Sequence, residues 1–145
     1  MIIFYANQAG YLPKGRKIAV LAQENRADEM EKVQDKEVTL WNEKGEQTAV
    51  KQAVYAGVDE SAEDKVWHID FSDLTEEGTV TFQDGEGAVL GNCIISRKAY
   101  HTLNQTLCKA LYFPRCGMGL EETFAGKVRR CTCHTGTAVR LEDYL

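Results

Sequence analysis

Cys116, Cys131, Cys133 and His134 gather three thiols and an imidazole into one short stretch near the end of the sequence. Thiolate sulfur and imidazole nitrogen are the donors that tetrahedral zinc prefers, and three cysteines with one histidine is a common structural set. These four residues are the candidate metal ligands, and zinc is the candidate cofactor. The Cys131-Thr-Cys133 spacing is tighter than zinc sites usually use, and free thiols on a tail are the alternative. Cys93 and Cys108 fall on an expected strand and an expected helix, where an unpaired cysteine behaves as a small buried hydrophobe.

Carboxylate pairs are the other source of chemistry, because a general acid and a general base are each commonly an Asp or Glu. Asp70 with Asp73 and Glu121 with Glu122 are the closest pairs in the chain. All four read as solvated turn or loop residues, so no catalytic residue is assigned. His68 and His101 have no acid or cysteine beside them in sequence and read as surface or hydrogen-bonded side chains.

A chain of 145 residues fits one ordinary domain with some length to spare. Hydrophobic content of 43% with 27% charged residues is that of a protein with a packed core. The formal charge of -5 comes from scattered groups, and Lys127, Arg129 and Arg130 are the nearest approach to a basic cluster. That falls short of a nucleic-acid footprint. No apolar run approaches the roughly 20 residues of a membrane helix, so no membrane partner is expected. The N-terminus lacks a basic region followed by a long apolar stretch, which points to the cytoplasm, or to secretion if a signal has been removed. Five cysteines crowded toward one end do not make a disulfide framework, and a reducing compartment fits them better.

The elements that must position these residues follow from periodicity. From Met1 to about Arg97, short alternating runs are separated by turn residues, as in an all-β sandwich. The expected strands are 2–6, 17–22, 37–41, 48–55, 66–70, 79–83 and 89–95. Seven is the count of an immunoglobulin-like fold. Trp67, Ile69 and Phe71 share the inward face of one strand. Asn42-Glu-Lys-Gly45 and Gln83-Asp-Gly-Glu86 read as hairpin turns in which glycine takes positive φ. Residues 23–36 carry Ala27, Met30 and Val33 at helical spacing in a charged segment, and read as a loop or a short helical turn.

After Arg97 the period changes. Tyr100, Leu103, Leu107, Ala110 and Leu111 form the stripe of an amphipathic helix over 98–113, with Ser96 as its N-cap and Pro114 as its stop. Beyond Pro114 the glycines and isolated apolar residues suggest irregular structure. Such a stripe needs cover, and pairing with the same helix of a second chain would make a homodimer.

Several motifs, in order along the chain, carry a resemblance. Asn7-Gln-Ala-Gly-Tyr-Leu-Pro13 is similar to the opening of the immunoglobulin-like module of glycoside hydrolase family 9. Ile69-Asp-Phe-Ser-Asp-Leu74 with Gly78 resembles a strand and turn of the same module. Tyr112-Phe-Pro-Arg-Cys-Gly117 and Phe124-Ala-Gly126 resemble the segment that joins it to the catalytic barrel. Pro114 stands where that family usually has Gln, and Phe124 where it has Tyr.

The resemblance implies an immunoglobulin-like β-sandwich over 1–97, then the first helix and loop of a truncated (α/α)6 barrel over 98–145. Its implied role is non-catalytic support of a barrel that hydrolyses β-linked glucans such as cellulose or cellodextrins. Glucan would be met only through that barrel. Inverting glycosidases use two carboxylates about 6.5–9.5 Å apart, and the family's base motif Asp-Ala-Gly-Asp does not occur in this sequence. Cys116, Cys133 and His134 match positions that hold structural zinc in some members, where a later histidine completes the site. With that histidine missing here, Cys131 is the substitute fourth ligand. A carbohydrate-binding module and a small stand-alone zinc protein are the rival readings; the first would need a row of exposed aromatic rings, for which Trp41 and Trp67 are the main supply.

Overall fold

The computed structural model describes residues 2–25, 34–134 and 136. The seven expected strands are all present: β1 Ile2–Tyr5, β2 Ile18–Glu24, β3 Lys36–Trp41, β4 Gln47–Asp59, β5 Asp64–Asp70, β6 Gly78–Asp84 and β7 Val89–Ile95. They form one antiparallel sheet in the order β1-β2-β5-β4-β3-β6-β7. The sheet wraps until it nearly closes, and Phe4 of β1 lies against Phe82 of β6 with ring centroids 4.9 Å apart. Gly91 of β7 makes room for that approach, since a Cβ there would sit 2.3 Å from the Phe4 ring. Alternation puts one side of strands β2 to β7 inside: Leu21, Val38, Leu40, Ile69, Phe82 and Ile95, with Phe71 just past β5, have essentially no exposed surface.

Strand β4 runs four residues beyond its expected end at Tyr55 because its pairing with β5 slips between Tyr55 and Gly57 and then continues to Asp59 opposite Asp64. A bulge of this kind breaks the strict alternation that marks a strand in sequence. Both expected hairpins form. In the first, Asn42 Oδ1 accepts the Lys44 and Glu46 amides and Gly45 takes φ 75°. In the second, Asp84 Oδ1 accepts the Glu86 and Ala88 amides, and Gly87 rather than Gly85 takes positive φ. The expected loop or turn at Ala27, Met30 and Val33 lies outside the described residues.

One inward group was not foreseen. Lys17 is fully buried, and its Nζ donates to the carbonyls of Pro13 at 2.7 Å, Gly15 at 2.9 Å and Leu12 at 3.4 Å. Spending three donors on three carbonyls satisfies a group that would otherwise be costly to bury. The same loop is anchored by Tyr11, whose amide donates to Ile94 O and whose hydroxyl donates to Ile18 O. Gly10 permits this: it has φ 91°, and a Cβ there would lie 2.7 Å from Ile94 O.

Contacts divide the chain into two compact units, 1–101 and 102–145. Helix α1 spans His101–Tyr112, all but its first residue in the second unit, and starts three residues later than expected. Ser96 is not its N-cap. The Ser96 Oγ and carbonyl instead accept the Lys98 and Ala99 amides, forming a turn over 97–100 before the helix begins. After Pro114 the chain is less irregular than expected: a one-turn helix α2, Glu122–Ala125, leads into a 3-10 turn at 126–128. Elements this short leave no periodic trace in a sequence.

Candidate metal centre

The ligand-bearing segment is a loop tied together at its base. Leu120 and Arg130 exchange two backbone hydrogen bonds in an isolated antiparallel bridge, and the Gly117 amide donates to Cys133 O at 2.9 Å. Arg130 adds side-chain ties: Nη1 donates to Cys133 Sγ at 2.8 Å, and Nη2 reaches Phe113 O at 3.4 Å and also Arg115 O. One guanidinium thereby holds the chain leading into Cys116 and the sulfur of Cys133. Two residues in the left-handed region, Gly117 at φ 78° and His134 at φ 54°, turn the backbone around the ends of this loop.

The result brings Cys116, Cys133 and His134 together, with the two Sγ atoms and an imidazole nitrogen all within 4.8 Å of one another. Ligand atoms around a tetrahedral zinc are about 3.5–3.8 Å apart, given Zn–S near 2.3 Å and Zn–N near 2.0 Å. Small side-chain rotations close that gap, so the donor set fits zinc. Cys131, the fourth ligand expected from sequence, is exposed and lies outside the group. The hydrogen bond from His134, the Gly117 amide and the charge of Arg130 together lower the Cys133 thiol from its ordinary pKa. A thiol already inclined to lose its proton is a better metal ligand. Arg130 is the member that sequence reading missed; its place at the start of Arg-Cys-Thr-Cys-His was the available signal.

Of the other cysteines, Cys93 is buried as expected, and burial pushes its thiol up to about 11. Cys108 is exposed, against expectation, because no residue of α1 is buried.

The acidic pairs are committed elsewhere. Asp70 Oδ1 accepts the Ser72 amide at 2.9 Å, and the Ser72 hydroxyl, together with that amide, lowers its pKa. Asp73 accepts the Lys51 ammonium at 2.6 Å, with the same result. Glu122 pairs with Arg129, while Glu121 precedes α2 with its amide donating to Tyr112 Oη and its carboxylate making no cap to the helix. A glycosidase acid needs its pKa raised, the opposite of what Asp70 and Asp73 experience. A cavity of about 200 Å³ beside the β3–β4 turn also contains acids. There Glu43 accepts the Thr79 amide and Glu77 pairs with Arg97. Of the two tryptophans, Trp67 is only 2% exposed and donates Nε1 to Gln34 O. It cannot serve as a platform for a sugar ring.

Comparison with known proteins agrees with this architecture. Residues 5–87 match the cellulase N-terminal ig-like domain, which covers more than half of the chain. A cellodextrinase of Butyrivibrio fibrisolvens is 34% identical over 139 residues, spanning 94% of this chain and 23% of that protein. A GH9 structure from Bacteroides ovatus is 27% identical with a TM-score of 0.65, covering 89% of this chain and 22% of that one. A single-mutant thermostable endoglucanase from Alicyclobacillus acidocaldarius superposes with a TM-score of 0.69 at 22% identity, over 92% of this chain and 22% of that one. The chain thus spans less than a quarter of the length of these relatives. With a near-closed sandwich and a family match across most of it, the chain belongs to the cellulase N-terminal Ig-like domains of glycoside hydrolase family 9.

Proposed function

We propose that this chain is a non-catalytic structural module of a family 9 glycoside hydrolase whose barrel cleaves β-linked glucans. The match to the N-terminal Ig-like domain over residues 5–87 carries this reading. In GH9 structures this domain accompanies the catalytic barrel. The sandwich supplies a packed core, and Asp70, Asp73, Glu43 and Glu77 are held in hydrogen bonds or ion pairs. The leucines of α1 are the surface that further barrel helices would cover. A carbohydrate-binding role is less well supported, since Trp67 is spent on the core.

The chain at high concentration, incubated with carboxymethylcellulose and aryl cellobiosides, is expected to show no turnover above buffer. Turnover that disappears on substituting Asp70, Asp73, Glu121 or Glu122 would refute the proposal.

The same reading gives Cys116, Cys133 and His134 a structural zinc ion, with Cys131 or another group as the fourth donor. Bound zinc would contribute no reaction step; it would cross-link the loop to the end of the α1 segment. A reducing compartment would keep the thiols free for it. Elemental analysis after zinc-supplemented expression is expected to find close to one equivalent, and protein without zinc after such expression would remove this role.

A further inference from the structure

We propose that Cys116 and Cys133 are a redox couple, which a low-molecular-weight disulfide such as oxidised glutathione closes into an intramolecular disulfide across the base of the 117–132 loop. Their sulfurs already lie within 4.8 Å of each other, and a disulfide bond is about 2.05 Å long. Rotation of two side chains covers much of the difference, because the backbones are held in place. The Gly117 amide is bonded to Cys133 O, and Arg130 grips both the Arg115 carbonyl and the Cys133 sulfur. The oxidant has access, since Cys116 is exposed and Cys133 half-buried.

The chemistry balances as thiol–disulfide exchange. The Cys116 sulfur, having released its proton, attacks one sulfur of oxidised glutathione, and one glutathione thiolate leaves. The Cys133 sulfur then attacks the Cys116 sulfur of that mixed disulfide, and the second glutathione leaves. Two electrons pass from the protein to glutathione, and the two protons lost by the cysteines end on the two glutathione thiols.

Both sulfurs are consumed, so the disulfide and a metal ion held by these residues exclude each other. The couple rests on the positions of the two sulfurs and does not need the zinc reading to hold.

The test uses the full chain, reduced and freed of metal by a chelator, then incubated with oxidised glutathione. Remaining thiols are alkylated under denaturing conditions, and the linkage is mapped by mass spectrometry. The expected product carries a Cys116–Cys133 cross-link that dithiothreitol reverses, with neither of these two residues alkylated or holding glutathione, whatever adducts form on the exposed Cys108 and Cys131. Cys131→Ser should form the same cross-link, and Cys116→Ser should stop at a glutathione adduct. A cross-link through Cys131, persistent glutathione on Cys116 in the unsubstituted chain, or no oxidation would overturn the couple. The linkage map of the unsubstituted chain decides this even if a variant folds poorly. Preloading with zinc separates the two readings. At least tenfold slower closure supports both, whereas closure at an unchanged rate to the same Cys116–Cys133 bond supports the couple and removes the zinc site.

Discussion

Phe82 in β6 and Leu111 in α1 are both large apolar residues at positions that periodicity marks as inward-facing. Phe82 has no exposed surface, packed edge-on against Phe71 with ring centroids 5.2 Å apart, whereas Leu111 is 74% exposed. The contrast extends to the whole of each element. The strands close over a shared core, while among the described residues α1 buries none of its side chains. Apolar periodicity records that a face is meant to be covered; it does not say whether the cover lies within the same chain. In the sandwich the cover is the opposite side of a nearly closed sheet. For α1 the proposed cover is the rest of a barrel, or a second copy of the helix when the barrel is missing.

The sharpest way to break this comparison is to truncate one residue from each region. Phe82→Ala should destabilise the sandwich by about 3–5 kcal/mol in urea titration, because transfer and cavity terms add in a packed core. Leu111→Ala should stay within about 0.5 kcal/mol, as for an exposed position. Equal effects would mean that Leu111 is buried in solution.

Association is the next largest effect. If a second copy covers α1, the chain should sediment as a dimer. Leu103 and Leu107 are 46% and 53% exposed, and each leucine buried at a contact contributes roughly 1.5–3 kcal/mol. The Leu103→Asp, Leu107→Asp double variant should therefore be monomeric while keeping the β spectrum of the sandwich. An unsubstituted chain that is monomeric at high concentration would discard the dimer and leave the barrel as the only proposed cover.

Lys17→Met probes how the sandwich handles a polar interior. Removing Nζ takes the shared donor from the Pro13, Gly15 and Leu12 carbonyls, and losing these part-buried bonds should lower stability by about 1–3 kcal/mol. A variant as stable as the parent would show that water reaches this loop.

The smallest effect is electrostatic. The hydrogen bond from Lys51 depresses the pKa of Asp73 in the folded state. Its stabilising contribution is therefore present above the unfolded carboxylate pKa, near about 4, and is lost as pH falls through the lower folded value. Asp73 is 71% exposed, so solvent screening keeps the gain small. Asp73→Asn should flatten the acid limb of a melting-temperature profile slightly and leave neutral pH almost unchanged. An unchanged acid limb would show that the pair contributes nothing.

The sequence alone determined the number and place of the strands, because a half-buried strand writes its burial as an alternation of period two. Trp67, Ile69 and Phe71 show this directly. It also marked the apolar stripe of α1 and the cysteines and histidine near the end, since residue type limits what a side chain can ligate. What it left open depended on which groups the folded backbone brings face to face. The extension of β4 rests on a bulge against β5. The burial of Lys17 rests on three carbonyls that face it only after the 12–15 loop has folded over. The grouping of Cys133 rather than Cys131 with Cys116 and His134 follows from the Gly117 hydrogen bond, the left-handed turn at His134 and the reach of Arg130, none of which local spacing records. Periodicity is a one-dimensional trace of burial, whereas a cluster of donors is a set of distances, and only the folded chain sets those.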